Sequence, residues 1–156
     1  MKDYSKILSA VFTVEHVNSV LLGIAQLEGL LFSSDEGLFD TQMGEVFIPA
    51  VDNVIQSVIF EMGKGPGLAG VAEYLKALGE VRLTLAFAPH EKEIVRFAQY
   101  LRNFSSKPIV MNISVDQSIL GGAVITYQGR FGDYSFAQKL EHVLPSQKEE
   151  IMKVLP

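Results

Sequence analysis

Val115-Asp116-Gln117-Ser118-Ile119-Leu120-Gly121-Gly122-Ala123-Val124-Ile125-Thr126, followed by Gly129 and Asp133-Tyr134-Ser135, is the stretch that decides the fold. An acidic turn and a Gly-Gly pair join two apolar β-type segments. A second tight turn then leads to an Asp-x-Ser that caps a helix. None of this has the marks of a catalytic loop. The two glycines read as backbone in a special conformation or in close contact with a neighbour.

Working back from it, Ile109, Met111, Ile113 and Val115 alternate as one face of a strand, as do Val81, Leu83, Leu85 and Phe87. Between Pro89 and Pro108, Ile94, Phe97, Ala98, Leu101 and Phe104 recur at helical spacing. Strand, helix and strand make a βαβ unit. The strand from Ala123 to Gln128 is expected to fold back through Gly129 onto a short strand at Arg130 to Gly132. Asp133 or Ser135 would then start a helix on Phe136, Leu140, Val143 and Leu144. The capping box Ser146-Gln147-Lys148-Glu149 predicts a last helix, Gln147 to Leu155.

Before Gly79 the period is helical. Val51, Val54, Ile55, Val58, Ile59 and Met62 form the clearest stripe, beginning near Val46 to Pro49 and ended by Gly63-Lys64-Gly65-Pro66-Gly67. Val17, Val20, Leu21, Ile24, Leu27 and Leu31 predict a helix from about Val14 to Phe32 with Thr13 as N-cap. Shorter helices are expected at Tyr4 to Phe12 and Leu68 to Leu78, and a loop between Ser33 and Glu45. The expected class is α+β: a helical bundle over residues 1–79, then over 80–156 a small α/β domain with a four-stranded mixed sheet, βαβ plus hairpin, and C-terminal helices.

Composition narrows the function. The chain has 156 residues, 48% hydrophobic, and a mean hydropathy of +0.24, so a partner surface and a tightly packed core are both on offer. With no cysteine and three scattered histidines, neither disulfides nor a zinc site is expected. Residues 1–79 carry ten acidic and four basic side chains, residues 80–156 eight and nine. No basic cluster invites nucleic acid. The apolar stretch Val17 to Phe32 is too short and too often interrupted for a membrane span, and the start shows no signal peptide.

Candidate chemistry is thin. Gly65-Pro66-Gly67-Leu68-Ala69-Gly70 is a literal GxGxxG, but a dinucleotide site needs a strand before it, and a helix precedes it here. His90 beside Glu91 and Glu93 lacks metal-site spacing, and the carboxylates suit a helix N-terminus. Asp116 and Asp133 are conceivable as a carboxylate pair, yet each stands where an aspartate bonds nearby amides.

Taken in order, Ala86-Phe87-Ala88-Pro89, Asp116, Leu120-Gly121-Gly122, Gly129, Asp133-Tyr134-Ser135 and Leu140 resemble the C-terminal domain of the delta subunit of F-type ATP synthases, the oligomycin-sensitivity-conferring protein family. Tyr4-Ser5-Lys6-Ile7-Leu8 is similar to that family's opening, and the helix ending at Gly63 with Tyr74 beyond resembles its fifth and sixth helices. The family's six-helix domain is longer, and the missing length falls around Ser33 to Glu45. The resemblance implies a non-catalytic, single-copy stator subunit without cofactor or metal, joining the alpha subunits of a proton- or sodium-translocating ATP synthase to its b-type peripheral stalk. It implies a peripheral position on the cytoplasmic face of a bacterial inner membrane, or the equivalent organelle face. By the same analogy Ile7, Leu8, Val11, Val51, Ile55, Val58 and Ile59 would receive an alpha-subunit helix, and Asp116, Leu120, Gly121, Gly122, Asp133 and Ser135 would mark the stalk side. The alternative is a stand-alone adaptor that takes peptides in its helical groove.

Overall fold

The computed structural model describes residues 4–32 and 36–139, the side chain of Glu36 apart. The expected positions of Leu140, Val143, Leu144 and the helix from Gln147 to Leu155 lie outside the described residues. The chain divides into two compact units: residues up to Gly79 with Phe97–Val110, and Glu80–Arg96 with the residues from Met111 onward.

In the helical unit a 3-10 helix, Tyr4–Ser9, precedes α1 (Val14–Leu30), α2 (Glu36–Val46), α3 (Pro49–Met62) and α4 (Lys64–Lys76). Thr13 caps α1 as its position suggests, its side chain accepting from the His16 amide at 3.3 Å. Pro49 opens α3, where a missing amide costs nothing. Val11, Leu27, Ile55 and Leu68, all fully buried, lie in one core cluster with Ile7, Ile24, Val51, Val71 and Leu75. The N-terminal segment is pinned by Tyr4, whose hydroxyl donates to Met62 Sδ at 3.3 Å and whose ring lies 5.8 Å from that of Tyr74.

Two expectations are corrected here. The loop expected between Ser33 and Glu45 is instead largely helix α2, which buries Phe39 and Met43, with Phe47 buried just past its end. The residue spacing i, i+4, i+8 was available, but Gly37, Gly44 and the poor helix formers between them masked it. The glycine cluster after α3 is also not the turn: Gly63 alone, at φ 86°, makes it, and Gly65, Gly67 and Gly70 are inside α4. Gly67 lets α4 approach α3 closely, since a Cβ there would stand 3.1 Å from Ile59 Cα.

Arg102, on α5 (Glu91–Phe104), ties this unit to itself across the chain. Its Nη1 and Nη2 donate to the carbonyls of Leu8 and Val11, each at 2.7 Å, and Nε donates to Ile109 O at 3.2 Å. The guanidinium also stands 5.5 Å from the Phe12 ring centroid. Burial lowers its pKa from the ordinary arginine value, but the group stays charged, and the fork of donors holds the charge on neutral carbonyl dipoles.

The sheet has the order β2-β1-β3-β4, with β1 Gly79–Leu85, β2 Ile109–Val115, β3 Ala123–Tyr127 and β4 Arg130–Asp133. Gly79 N donates to Pro108 O where both of the first two strands begin, and Asp116 N to Leu85 O where both end, so β1 and β2 run parallel. The other pairs are antiparallel, Leu83 facing Ile125 and Thr126 facing Phe131. The mixed sheet of βαβ plus hairpin is therefore as expected. Val81, Leu83 and Leu85 are buried, while the opposite face links polar residues: Asn112 donates to Glu80 at 2.9 Å, and the Thr84 and Ser114 hydroxyls meet at 3.0 Å. Phe87 falls past the strand end and is 66% exposed.

Arg102→Met retains the aliphatic bulk but orphans the Leu8 and Val11 carbonyls. It is expected to lower unfolding stability by a few kcal/mol, at ~1–3 kcal/mol per orphaned buried group, in urea denaturation of the full chain. Arg102→Lys should recover only part of the loss, because one ammonium cannot span carbonyls three residues apart as the fork does.

Candidate functional site

The segment from Asp116 to Ser135 forms a knot of backbone contacts at the end of the sheet. Asp116 Oδ1 accepts from the Ser118 amide at 2.9 Å, capping the one-turn 3-10 helix Gln117–Ile119. Leu120 follows at φ 61° in the left-handed region, then Gly121 at φ 152° and Gly122 at φ 80°. Only glycine suits the last two: a Cβ on Gly121 would stand 2.5 Å from the Phe136 ring, and one on Gly122 would collide with the Tyr134 carbonyl oxygen and lie 3.1 Å from Ser135 Cα. The crossing is closed by Tyr134 N donating to Ala123 O at 2.8 Å and Phe136 N to Gly121 O at 2.9 Å.

The hairpin between has a two-residue turn, Gln128 at φ 50° and Gly129 at φ 76°, the left-handed pair that matches the twist of a β ribbon. Beyond β4, Asp133 Oδ1 accepts from the Ser135 amide at 2.8 Å. Ser135, 1% exposed, accepts from Gln138 N at 3.2 Å, so it is the cap of the helix that opens at 136. The structure thus brings Gly121, Gly122, Asp133 and Ser135, four of the six residues expected on the stalk side, together through backbone and cap contacts, while Asp116 caps its own turn. The sixth, Leu120, is 64% exposed beside them, with Tyr134 (63%) and Phe136 (53%) also exposed.

The carboxylates do no visible acid-base work. The Ser118 hydrogen bonds hold the Asp116 carboxyl below its ordinary pKa, and those of Ser135 do the same for Asp133. A pair sharing one proton would push one member up. His90 is likewise structural in its backbone, its amide donating to Glu93 Oε2 at 2.7 Å as a helix-start box. Among the described residues no group of His, Asp or Glu could hold a metal ion.

The seven groove candidates fall differently. Ile7, Val11, Val51, Ile55 and Val58 are buried in the core of the helical unit. Leu8 and Ile59 keep partial exposure. Helical spacing marks an apolar face and says nothing about whether the chain or a partner covers it. The sequence reading missed Arg102, and it missed Phe39 and Met43 because their segment was read as loop. The signal for Arg102 was a lone cation at position i+4 from Ala98, on the apolar side of an otherwise amphipathic helix.

Two outcomes check this geometry. Both aspartates titrate near ~3.9 in an unfolded chain and lower in the fold, so their contribution to stability is present above that value and is lost as pH falls through the folded pKa values. The Ser118 and Ser135 amide proton shifts should therefore titrate with midpoints below ~3.9; midpoints at or above it would show that the amides do not hold the carboxylates. Gly122→Ala should cost at least about 1–3 kcal/mol from strain alone and speed hydrogen exchange at Tyr134 and Phe136. Gly44→Ala on α2, where a Cβ meets nothing within 4 Å, should leave stability the same or higher.

Comparison with known proteins follows the same segment. Residues 69–144 match the model of the ATP synthase delta (OSCP) subunit family. The ATP synthase subunit delta of Thermotoga petrophila is 28% identical over 75 residues, 46% of this chain and 41% of that protein, and that of Thermotoga maritima matches to the same extent. The protein of the same name from Thermotoga neapolitana is 33% identical over 61 residues, 36% of this chain and 33% of its own. The chain spans about two-fifths of the length of the first two relatives. A chain in a cryoEM structure of the Polytomella F-ATP synthase overlays 49% of this chain and 98% of its own at 23% identity, with a TM-score of 0.39, too loose an overlay to bear on the fold. The matched segment, just under half of the chain, runs through β1, α5, β2 and the whole Asp116 to Ser135 knot, and over it the chain is similar to the ATP synthase delta (OSCP) subunit family.

Proposed function

We propose that the chain is a stator subunit of a proton- or sodium-translocating F-type ATP synthase, linking the alpha subunits of the catalytic head to a b-type peripheral stalk. The observation that carries this is the coincidence of the family match with the Asp116 to Ser135 knot. A subunit of this kind works mechanically. Rotor torque acts on the head, and a stator resists it with rigid, tightly held contacts, so binding free energy goes into rigidity and not into a transition state. The knot suits such a load: glycine backbone packed on backbone, two carboxylates committed to amides and a buried serine cap leave little to rearrange. The same commitments favour a non-catalytic, cofactor-free role.

On this reading the stalk is met at the exposed edge of the knot, where Leu120 stands beside Asp116, Gly121, Gly122, Asp133 and Ser135. The alpha-subunit segment is met on the helical unit, at Leu8 and Ile59, with Ile7, Val11, Val51, Ile55 and Val58 as the core that stiffens their helices. Among the described residues no helix is long and apolar enough to cross a membrane, in keeping with one copy bound at the periphery of the complex on the cytoplasmic or equivalent organelle face. The adaptor reading draws on a different observation: the 3-10 helix and α1 to α3 of the helical unit precede the matched segment.

The test is a pull-down of the tagged full chain from native, detergent-solubilised membranes with mass spectrometry of its companions. Alpha, beta and stalk subunits in fixed proportion are the expected result. Their absence, with an unrelated partner enriched, would sink the stator role and leave the adaptor.

A further inference from the structure

Helix α5 has two sides rich in large or apolar groups, and the chain itself covers one. Ala98 is 2% exposed, and Arg102, one turn on, spends its guanidinium on the carbonyls of Leu8, Val11 and Ile109. On the other side Phe97, Tyr100 and Phe104 are 36%, 65% and 75% exposed. The rings of the last two lie against each other, their centroids 4.9 Å apart. A single exposed ring is ordinary, but three along two turns of one helix make a patch.

Spacing gives the shape of what covers it. Phe97 stands three residues before Tyr100 and Phe104 four after it, with Glu93 four before Phe97. The alternation of four, three and four keeps all of them on the seam that a second helix packs against.

Charge says which helix. Seven residues before Tyr100 is Glu93, which gives Oε2 to the His90 amide and leaves Oε1 for a further donor. Seven residues after it is Lys107, exposed and held just past the helix end, its amide donating to the Ser105 hydroxyl and its carbonyl accepting from it. The two ends of the stripe are thus of opposite sign at equal distance from its middle. The same helix laid antiparallel answers both: Glu93 of each copy meets Lys107 of the other, Phe97 meets Phe104, and Tyr100 meets its own counterpart. Each helix start, with its partial positive charge, then lies beside the other's end, and Arg96 on the flank meets the neutral Asn103. A parallel copy would set Glu93 against Glu93.

We infer that α5 pairs with α5 of a second copy of this chain, antiparallel about a twofold axis at Tyr100. Size sets the strength. At these exposures the three rings offer roughly 350 Å² per copy, taking ~200 Å² for a whole aromatic side chain, against ~800 Å² per partner in a standard stable interface. The pair is weak and concentration-dependent, a state of the free chain. It goes beyond the stator reading, which takes one copy into the complex, and neither depends on the other.

The test is sedimentation of the full chain over a range of concentrations at near-physiological salt of ~0.15 M, with circular dichroism to show that each variant folds. The parent is expected to pass from monomer to dimer as its concentration rises. Phe104→Ser, at an exposed position, should weaken the pairing about tenfold or more. Glu93→Lys alone opposes lysine to lysine and Lys107→Glu alone opposes glutamate to glutamate, so each should pair more weakly than the parent. An equimolar mixture of those two variants sets lysine against glutamate at both ends and should regain the parent's dimer fraction. A parent that stays monomeric throughout overturns the inference, and so does Phe104→Ser pairing as well as the parent. A mixture no more dimeric than its components overturns it too, because the charges at the ends of the stripe then do not join the copies.

Discussion

The guanidinium of Arg102 is the contact on which the helical unit most depends. One side chain from α5 satisfies two carbonyls at the N-terminal end of the chain and one at the start of β2, at separations of 94, 91 and 7 residues. A half-buried charge is costly unless its donors are spent, and here Nε, Nη1 and Nη2 all have carbonyl acceptors. The consequence is topological. The last turns of α5 and the first residues of β2 belong to the unit built by the N-terminal helices, although they follow β1 in sequence. Neither half can be cut at Gly79 without leaving groups of the other unpaired.

The second constraint is steric. At the end of the sheet, Gly122 passes the Tyr134-Ser135 backbone, and Gly121 the Phe136 ring, so closely that a Cβ on either would collide. The carboxylates of Asp116 and Asp133 then serve the backbone, each turning a chain reversal into a hydrogen-bonded cap. The apolar side chains around this crossing, Leu120, Tyr134 and Phe136, remain on the surface. Under the proposed function this is where the stalk would dock, since closely held backbone beneath exposed apolar groups leaves little conformational freedom to be lost on binding.

In the helical unit the division between core and surface runs through the middle of the α3 stripe. Val51, Ile55 and Val58 lie in the core; Ile59 is partly covered, and Phe60, the next residue, is almost wholly bare. A helix turns its face by about 100° per residue, so neighbours in sequence face opposite fates. The seven residues taken together as a groove therefore divide into those that hold the unit together and the two that still have surface.

Local chemistry was legible in the chain itself. The Thr13 cap, Pro49 at the start of α3, the alternation of Val81, Leu83 and Leu85, the hairpin at Gly129 and the Asp-x-Ser start of the last described helix depend on neighbours within a few residues, and those neighbours are written in sequence order. The Asp116 to Ser135 pattern was legible for the same reason, because a glycine required by a close crossing is visible before the crossing is. What the tertiary structure decided was everything that depends on distant partners: that α2 forms at all, its apolar residues Phe39 and Met43, and Phe47 just beyond, finding cover that local propensity could not promise; that the glycines after Gly63 are helical, with α3 lying against Gly67; that Arg102 turns inward; and which face of each apolar stripe is core. Periodicity reports that a face is apolar. Only the packed chain says what it is packed against.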